Sequence, residues 1–156
     1  MRYIALIVGK LLKFIGNKLD KGTSAPGVFA KKIDKKIFSR ISYPEKIVVI
    51  TGTNGKTSTA NMVAKVLRDK GLEVVHNTKG ANLLGGLLTT IIDHTSFSFK
   101  IRCDVLVLEV DEATYPVFTR YITPSHLIVN NFFRDQLDRY GEIEVLVDLV
   151  NSGISS

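Results

Sequence analysis

The segment from Lys46 to Lys70 constrains the fold of this chain more than any other. An apolar run over residues 46–50 is followed by Thr-Gly-Thr-Asn-Gly-Lys-Thr-Ser-Thr at residues 51–59, and a helical pattern continues to residue 70. Glycines let the backbone turn tightly, so its N–H groups and the positive end of the new helix can point at one place. Strand, glycine loop, lysine and helix in this order predict a phosphate-binding cradle.

The predicted nucleotide-binding residues of this cradle are Gly52, Thr53, Asn54, Gly55, Lys56, Thr57 and Ser58. Lys56 can reach the terminal phosphates, and the Thr57 hydroxyl can bind magnesium. The general pattern places its first glycine where this chain has Ile50, so the loop is a shortened form. A Gly-Lys-Thr triplet alone would be a chance match, whereas nine consecutive fitting residues between a strand and a helix favour the phosphate site.

Short apolar strands alternate with helices over the rest of the chain beyond residue 45. The patterns predict strands at 46–51, 73–76, 104–110 and 126–130, and helices at 56–70, about 84–93, about 113–121 and from about 134 onward. Such alternation predicts an α/β fold with a P-loop-type parallel sheet, right-handed crossovers and flanking helices. Ligands of sheets of this kind bind at the carboxyl ends of the strands.

Two basic helices are predicted before the sheet, at residues 1–19 and 28–41. Residues 1–46 contain 11 Lys and Arg against 3 Asp and Glu, which gives +8, while residues 47–156 contain 10 against 12, which gives −2. Lys10 and Lys13 interrupt the first apolar pattern, which argues against a signal peptide and against a membrane span. Packing on the domain and contact with an anionic membrane surface both remain open for this helix, with packing the more common role. Nucleic acid is not expected as a partner, because no aromatic-basic stacking platform accompanies the charge.

Carboxylates follow the third predicted strand. Glu109 lies between Leu108 and Val110, where an unpartnered carboxylate would be costly to bury, so we expect Glu109 and Thr57 to bind magnesium together. Asp111 and Glu112 are predicted to cap the helix that follows.

The turn after the second predicted strand has two interpretations. Lys79 and Asn82 are candidate substrate contacts, because they follow a strand at the same sheet edge as the glycine loop. An ordinary glycine turn with Asn82 as a helix cap is equally compatible with the sequence.

Cys103 is the single cysteine of the chain, which excludes an intramolecular disulfide and any multi-cysteine metal site. Zinc is therefore not expected, and the cysteine content is typical of a cytoplasmic protein. Cys103 precedes the apolar run 105–110 and is predicted to be a small buried core residue.

The segment Gly-Thr-Asn-Gly-Lys-Thr at the end of a buried strand resembles the ATP site of the Mur ligase superfamily, whose members make amide bonds through acyl phosphates. The fourth strand end is similar to the Asn and Asp-His-x-Asp pattern of these ligases, with Asn131, Asp135 and Asp138 in matching positions. Gln136 replaces the histidine that helps to hold a second magnesium ion in that family. Because an amide oxygen is a weaker ligand, Gln136 is a doubtful candidate for that site.

Residues 130–142, residues 108–113 and the basic amino-terminal helices together resemble the family of MurT subunits of lipid II isoglutaminyl synthase. The resemblance implies an ATP-dependent ligase that activates the α-carboxyl of D-glutamate in lipid II as an acyl phosphate, with ATP and magnesium as cofactors. It also implies a GatD-like glutaminase partner, which supplies the ammonia for D-isoglutamine formation in peptidoglycan synthesis. The implied location is the cytoplasm, with the inner face of the membrane as a peripheral site.

The resemblance further implies the domain organisation. We expect a basic helical segment at residues 1–44 and an incomplete Mur ligase central, ATP-binding domain at residues 45–156, with the carboxy-terminal domain of the family absent. The chain is thus expected to be a fragment or truncated product with no certain catalytic residue and no amidation activity of its own. Two other functions stay open: a ligase of the folylpolyglutamate or cyanophycin type, whose members usually keep the histidine that Gln136 replaces, and a non-catalytic nucleotide-binding module.

Overall fold

A parallel sheet of four strands lies at the centre of the part of the chain that the structure describes. The computed structural model describes residues 1–18, 24–77, 81–133 and 143–154. The strands are β1 (Lys46–Thr51), β2 (Val74–His76), β3 (Val105–Glu109) and β4 (His126–Val129), arranged in the spatial order β2-β3-β1-β4. All three neighbouring pairs are parallel, which confirms the predicted α/β class.

Helices flank the sheet and precede it. They are α1 (Arg2–Lys18), α2 (Ala25–Ile33), α3 (Lys56–Asp69), α4 (Leu84–His94), α5 (Tyr115–Phe118) and α6 (Ile143–Ile154), with a short 3₁₀ helix at Phe38–Arg40. The start predicted for the last helix, near residue 134, lies outside the described residues.

The sheet is covered on both faces, as parallel sheets usually are. On one face, α1, α2 and α4 enclose the larger part of the core, which includes Leu6, Ala30, Ile91, Leu106 and Leu108. On the other face, α3 packs over a smaller cluster built on Ile50, Ala60, Val105 and Val107. All five residues of β3 are buried, so the strand ends at Glu109 with a carboxylate inside the protein.

The second basic helix is shorter than the predicted range 28–41, because it ends at Ile33. Asp34 leaves the helical conformation, with φ −134° and ψ 101°. Its carboxylate accepts hydrogen bonds from the backbone N–H of Lys36 at 3.0 Å and from Arg40 Nη1 at 2.5 Å. An aspartate side chain that bonds to nearby groups in this way competes with helix continuation, and no spacing of apolar residues reveals the competition.

A close helix contact fixes the amino-terminal segment to the sheet layer. The Gly27 N–H of α2 donates to Thr89 Oγ1 of α4 at 2.8 Å, and the same hydroxyl donates to the Gly85 carbonyl at 2.8 Å. A Cβ atom at Gly27 would lie 2.3 Å from the Gly85 oxygen, so only glycine allows this approach. Ala5 and Leu6 of α1 are fully buried against the same layer, so one face of the first helix packs on the domain, which is one of the two alternatives left open by the sequence.

Candidate functional site

The glycine loop connects β1, which ends at Thr51, to α3, which begins at Lys56. Gly52 and Gly55 have φ values of +123° and +80°, which strain other residues and which glycine adopts freely. A Cβ atom at Gly52 would also lie 2.7 Å from the backbone oxygen of Asn131. The two predicted glycines are thus required by the backbone, and the segment after β4 packs directly against the loop.

Two asparagines after β4 hold the loop in shape. The Asn131 carbonyl accepts the Thr53 N–H at 2.8 Å, and its side-chain oxygen accepts the Asn54 N–H at 3.0 Å. Asn130 Nδ2 donates to the Asn54 carbonyl at 3.2 Å and to Thr59 Oγ1 at 3.0 Å. The family resemblance predicted a role for Asn131 but none for Asn130. The only indication of Asn130 in the sequence is that it is a second amide at the end of a strand.

Lys56 folds back over its own loop. The residue is 8% exposed, and Nζ donates to the carbonyl of Gly52 and, at 3.0 Å, to that of Thr53. Nζ also lies 3.5 Å from Glu112 Oε2. The positive charge of Lys56 therefore lies at the centre of the loop, next to the first turn of α3. A phosphate group there would be attracted by the lysine and by the positive end of the helix.

Glu112 is a component of the site, so the prediction that it caps the following helix is wrong. Helix α5 begins only at Tyr115, and Glu112 is completely buried with Oε2 facing Lys56. Its other oxygen, Oε1, has no hydrogen-bond partner in the described part of the chain. The Asp111 carbonyl accepts the N–H groups of Thr114 and Tyr115 before α5. A buried carboxylate needs a compensating charge, and Lys56 provides it.

Thr57 and Glu109, the two residues predicted to bind magnesium, are adjacent. Thr57 Oγ1 donates to Glu109 Oε2 at 2.8 Å, and Asn82 Nδ2 lies 3.4 Å from Glu109 Oε1. A hydroxyl and a carboxylate are hard oxygen ligands of the type that magnesium takes. No group of three or more His, Cys, Asp or Glu residues in the described ranges could hold a metal alone. The pair therefore fits a magnesium ion that takes its other ligands from phosphate oxygens and water.

Asn77 orients Glu109 and was not predicted. Its Oδ1 accepts the Glu109 N–H at 2.8 Å, and its Nδ2 donates to the Glu109 carbonyl at 2.9 Å and to that of Ala81 at 3.0 Å. The amide thus joins the end of β2 to the end of β3. The only indication in the sequence was the position of Asn77 directly after β2. That position becomes informative only once β2 and β3 are known to be neighbours in the sheet.

The remaining predicted residues divide into three groups. Ser58 is exposed in the first turn of α3, and Asn82 lies at the site through its contact with Glu109. Lys79 and Gln136 lie outside the described residues. Cys103 is partly buried and packs against the core, and burial raises the pKa of its thiol, which agrees with a structural rather than a nucleophilic role.

A parallel sheet whose first strand runs into a glycine-lysine loop, with a buried glutamate from the neighbouring strand against it, defines a class of phosphate-binding α/β proteins. Residues 50–149 match the family described as Mur ligase middle domain, and the chain belongs to the Mur ligase family.

Curated relatives agree with this assignment. The chain is 35% identical over 155 residues to the MurT subunit of lipid II isoglutaminyl synthase (glutamine-hydrolyzing) from Staphylococcus aureus (strain COL), covering 99% of this chain and 34% of that protein. The MurT subunit from Streptococcus pneumoniae is 36% identical over 151 residues, covering 97% of this chain and 33% of that protein. The chain thus spans about a third of the length of the curated relatives it matches.

Solved structures show the same fold at low sequence identity. MurF ligase from Thermotoga maritima in complex with ADP aligns with a TM-score of 0.63 and 20% identity, covering 82% of this chain and 28% of that chain. MurF from Acinetobacter baumannii aligns with a TM-score of 0.59 and 14% identity, covering 81% and 26%. The predicted parallel sheet with flanking helices is confirmed by these neighbours.

Proposed function

We propose that this chain is the ATP-binding part of an ATP-dependent amide ligase that activates the D-glutamate α-carboxyl of lipid II. The observation that carries the proposal is the arrangement of Lys56 in the loop beside the Thr57–Glu109 contact of 2.8 Å. The identity with MurT subunits supports the choice of lipid II over other acceptors. On this proposal, residues 45–156 belong to the ATP-binding domain, and residues 1–44 form a basic helical segment before it.

The loop residues would bind and orient the triphosphate. The first N–H groups of a helix have no intrahelical acceptor, so those of α3 are available to phosphate oxygens. Lys56 would move from its carbonyl partners to the terminal phosphates, and Thr57 and Glu109 would hold magnesium. Magnesium bound there would neutralise phosphate charge. An oxygen of the D-glutamate α-carboxylate would attack the γ-phosphorus of ATP, the bond from that phosphorus to the ADP oxygen would break, and an acyl phosphate would form.

The second half of the proposed reaction needs a nitrogen source. Ammonia would attack the acyl carbon and expel inorganic phosphate, which leaves the carboxamide of D-isoglutamine. A GatD-like glutaminase subunit would supply that ammonia, and the name of the Staphylococcus aureus relative, lipid II isoglutaminyl synthase (glutamine-hydrolyzing), supports this choice. The ligase would then bind lipid II at the cytoplasmic surface of the membrane during peptidoglycan synthesis.

The amidation assay that tests this function combines the complete gene product with ATP, magnesium, lipid II, glutamine and a glutaminase partner. The expected product is lipid II with a carboxamide in place of the D-glutamate α-carboxyl, identified by mass spectrometry. Turnover of a folate or an arginine-aspartate polymer substrate instead would favour the other ligase types. Nucleotide binding without any ligase turnover would favour a non-catalytic module.

Glu109→Gln is expected to reduce the magnesium dependence of ATP binding. The amide keeps the size of the side chain but removes the anionic ligand, so affinity in magnesium should fall by about tenfold or more, since even outer-shell partners of a metal contribute about that much. Calorimetric titration with ATP, in magnesium and in EDTA, measures the effect.

The matched control for this titration is Glu45→Gln, which changes an exposed glutamate just before the amino end of β1. Binding by this control should equal that of the wild type in both buffers. If Glu109→Gln keeps the full magnesium effect, Glu109 is not a metal ligand.

A further inference from the structure

The outward face of α1 is apolar although its inner face is already packed. Ala5 and Leu6 are buried, whereas four residues on the opposite side of the helix are 43–55% exposed: Ile4, Ile7, Leu11 and Ile15. We call these four residues the outer α1 face. A helix that is apolar on both sides normally has both sides covered, and an exposed apolar patch of this kind marks an interaction surface.

Three lysines that form no ion pair with a described acidic residue lie on α2 or just after it. Lys31 and Lys32 of α2 and the following Lys35 line a cavity of about 490 Å³ whose other walls include Val28, Leu88 and Tyr121. None of the three lysines forms an ion pair with an acidic residue of the described ranges, and Lys31 Nζ lies 4.9 Å from the centre of the Tyr121 ring. An anionic group on an apolar partner would complement this combination of charge and apolar wall.

Both features belong to the same end of the chain. Residues 1–46 carry +8 and residues 47–156 carry −2, so the excess positive charge lies in the segment that contains both α1 and α2. Anionic lipid bilayers provide both an acyl boundary for apolar side chains and headgroup phosphates for lysines. None of the helices in the described ranges has the length and apolar character needed to cross a bilayer, so such a contact would be parallel to the surface.

We propose that α1 and α2 bind this protein to the surface of an anionic lipid bilayer. The outer α1 face enters the boundary between headgroups and acyl chains, and Lys31, Lys32 and Lys35 contact headgroup phosphates. None of these residues belongs to the Gly52–Ser58 loop, so the proposal stands independently of nucleotide binding.

Vesicle co-sedimentation tests the apolar part of the proposal. The wild-type protein should bind vesicles of phosphatidylcholine with phosphatidylglycerol and bind vesicles of phosphatidylcholine alone much less. Ile7→Glu with Leu11→Glu should weaken binding by about tenfold or more, because two side chains lose their apolar burial. Both side chains are at least 50% exposed, so circular dichroism should show an unchanged fold.

The matched control is Met62→Glu with Val66→Glu, which places two acidic residues on α3, where the side chains are 61% and 56% exposed. This control should bind nearly as the wild type does. Absence of wild-type binding to anionic vesicles, or equal loss in the control, overturns the proposal. Self-association of the wild type that the α1 variant abolishes also overturns it, since a second copy would then cover the face.

The charge part is tested by changing Lys31, Lys32 and Lys35 to Gln together. Each lysine near an anionic surface should contribute roughly fivefold to the binding constant, and the difference should vanish at high salt. A control variant with Lys65, Lys70 and Lys100 changed to Gln removes the same charge from other exposed positions. Equal weakening by the two variants would show a general charge effect and would overturn the role of α2.

Discussion

Lys56→Ala is expected to reduce ATP affinity by roughly ten- to hundredfold, as measured by calorimetric titration in magnesium. Hydrogen bonds to charged groups contribute about 1.5–3 kcal/mol, and each 1.4 kcal/mol is a factor of about ten in affinity. Lys56 Nζ already lies among loop carbonyls and Glu112, so it needs only a local movement to reach a bound phosphate. No other lysine of α3 is buried in the described structure.

Lys65→Ala is the matched control for this experiment. Lys65 lies on the same helix, but its side chain is 75% exposed and pairs only with Asp69, so ATP affinity should not change. Lys56→Ala also leaves Glu112 buried without its cation, so thermal unfolding must be recorded for every variant. A folded Lys56→Ala protein that binds ATP as tightly as the wild type would contradict the nucleotide site, whatever happens with vesicles.

Gly27→Ala is expected to lower the free energy of unfolding by about 3 kcal/mol, which corresponds to roughly 6–12 °C in Tm. Helix propensity alone predicts a gain, since alanine is favoured over glycine by about 1 kcal/mol. The added Cβ, however, would lie 2.3 Å from the Gly85 oxygen and 2.6 Å from the Thr89 nitrogen, both backbone atoms of α4. The helices would have to separate, which would also lengthen the Gly27–Thr89 hydrogen bond.

Gly71→Ala separates this steric effect from backbone strain. Gly71 has φ +82°, but no heavy atom lies within 4 Å of a Cβ built there. Its substitution should therefore show only the conformational penalty, about 1–2 kcal/mol. Urea titrations give the change in the free energy of unfolding for Gly27→Ala and for Gly71→Ala, provided that the m values equal that of the wild type. A Gly27→Ala midpoint no lower than that of Gly71→Ala would mean that α2 and α4 tolerate a wider spacing.

The regular elements of the sheet were predictable because their patterns are local. The bounds of β1 agree with the structure at both ends, and those of β2, β3 and β4 agree within one residue. The length of the second basic helix was overestimated, because the Asp34 carboxylate accepts hydrogen bonds from groups just after it in the chain. The length of α5 was also overestimated, since it was predicted at 113–121 and spans Tyr115–Phe118. Apolar spacing reports which face is buried, and it does not report where a polar side chain interrupts a helix.

The residues of the candidate site likewise divide into those that local sequence patterns predict and those that they do not. The loop residues could be predicted because they are contiguous, and Glu109 because a carboxylate inside an apolar strand is conspicuous. Asn77, Glu112 and Asn130 act on residues that are far away in sequence: the contacts span 32, 56 and 71 positions. Glu112 was assigned to a neighbouring helix because only the assembled sheet brings its carboxylate to Lys56. The order of the strands in the sheet decides which of these residues become neighbours. Local patterns in a single sequence do not reveal that order.

Strand order has a consequence for the sequence of events in folding. Among the described strands, β1 pairs with β3 and β4, and β2 pairs with β3, so β1 and β2, the first two in chain order, are not neighbours. A nascent chain that stops before residue 105 would therefore contain β1 and β2 without β3, the strand that lies between them in the sheet. Such non-local pairing delays folding. Because Asn130 and Asn131 hold the loop in place, the phosphate cradle would acquire its shape only after β4 has joined the sheet, near the end of this assembly.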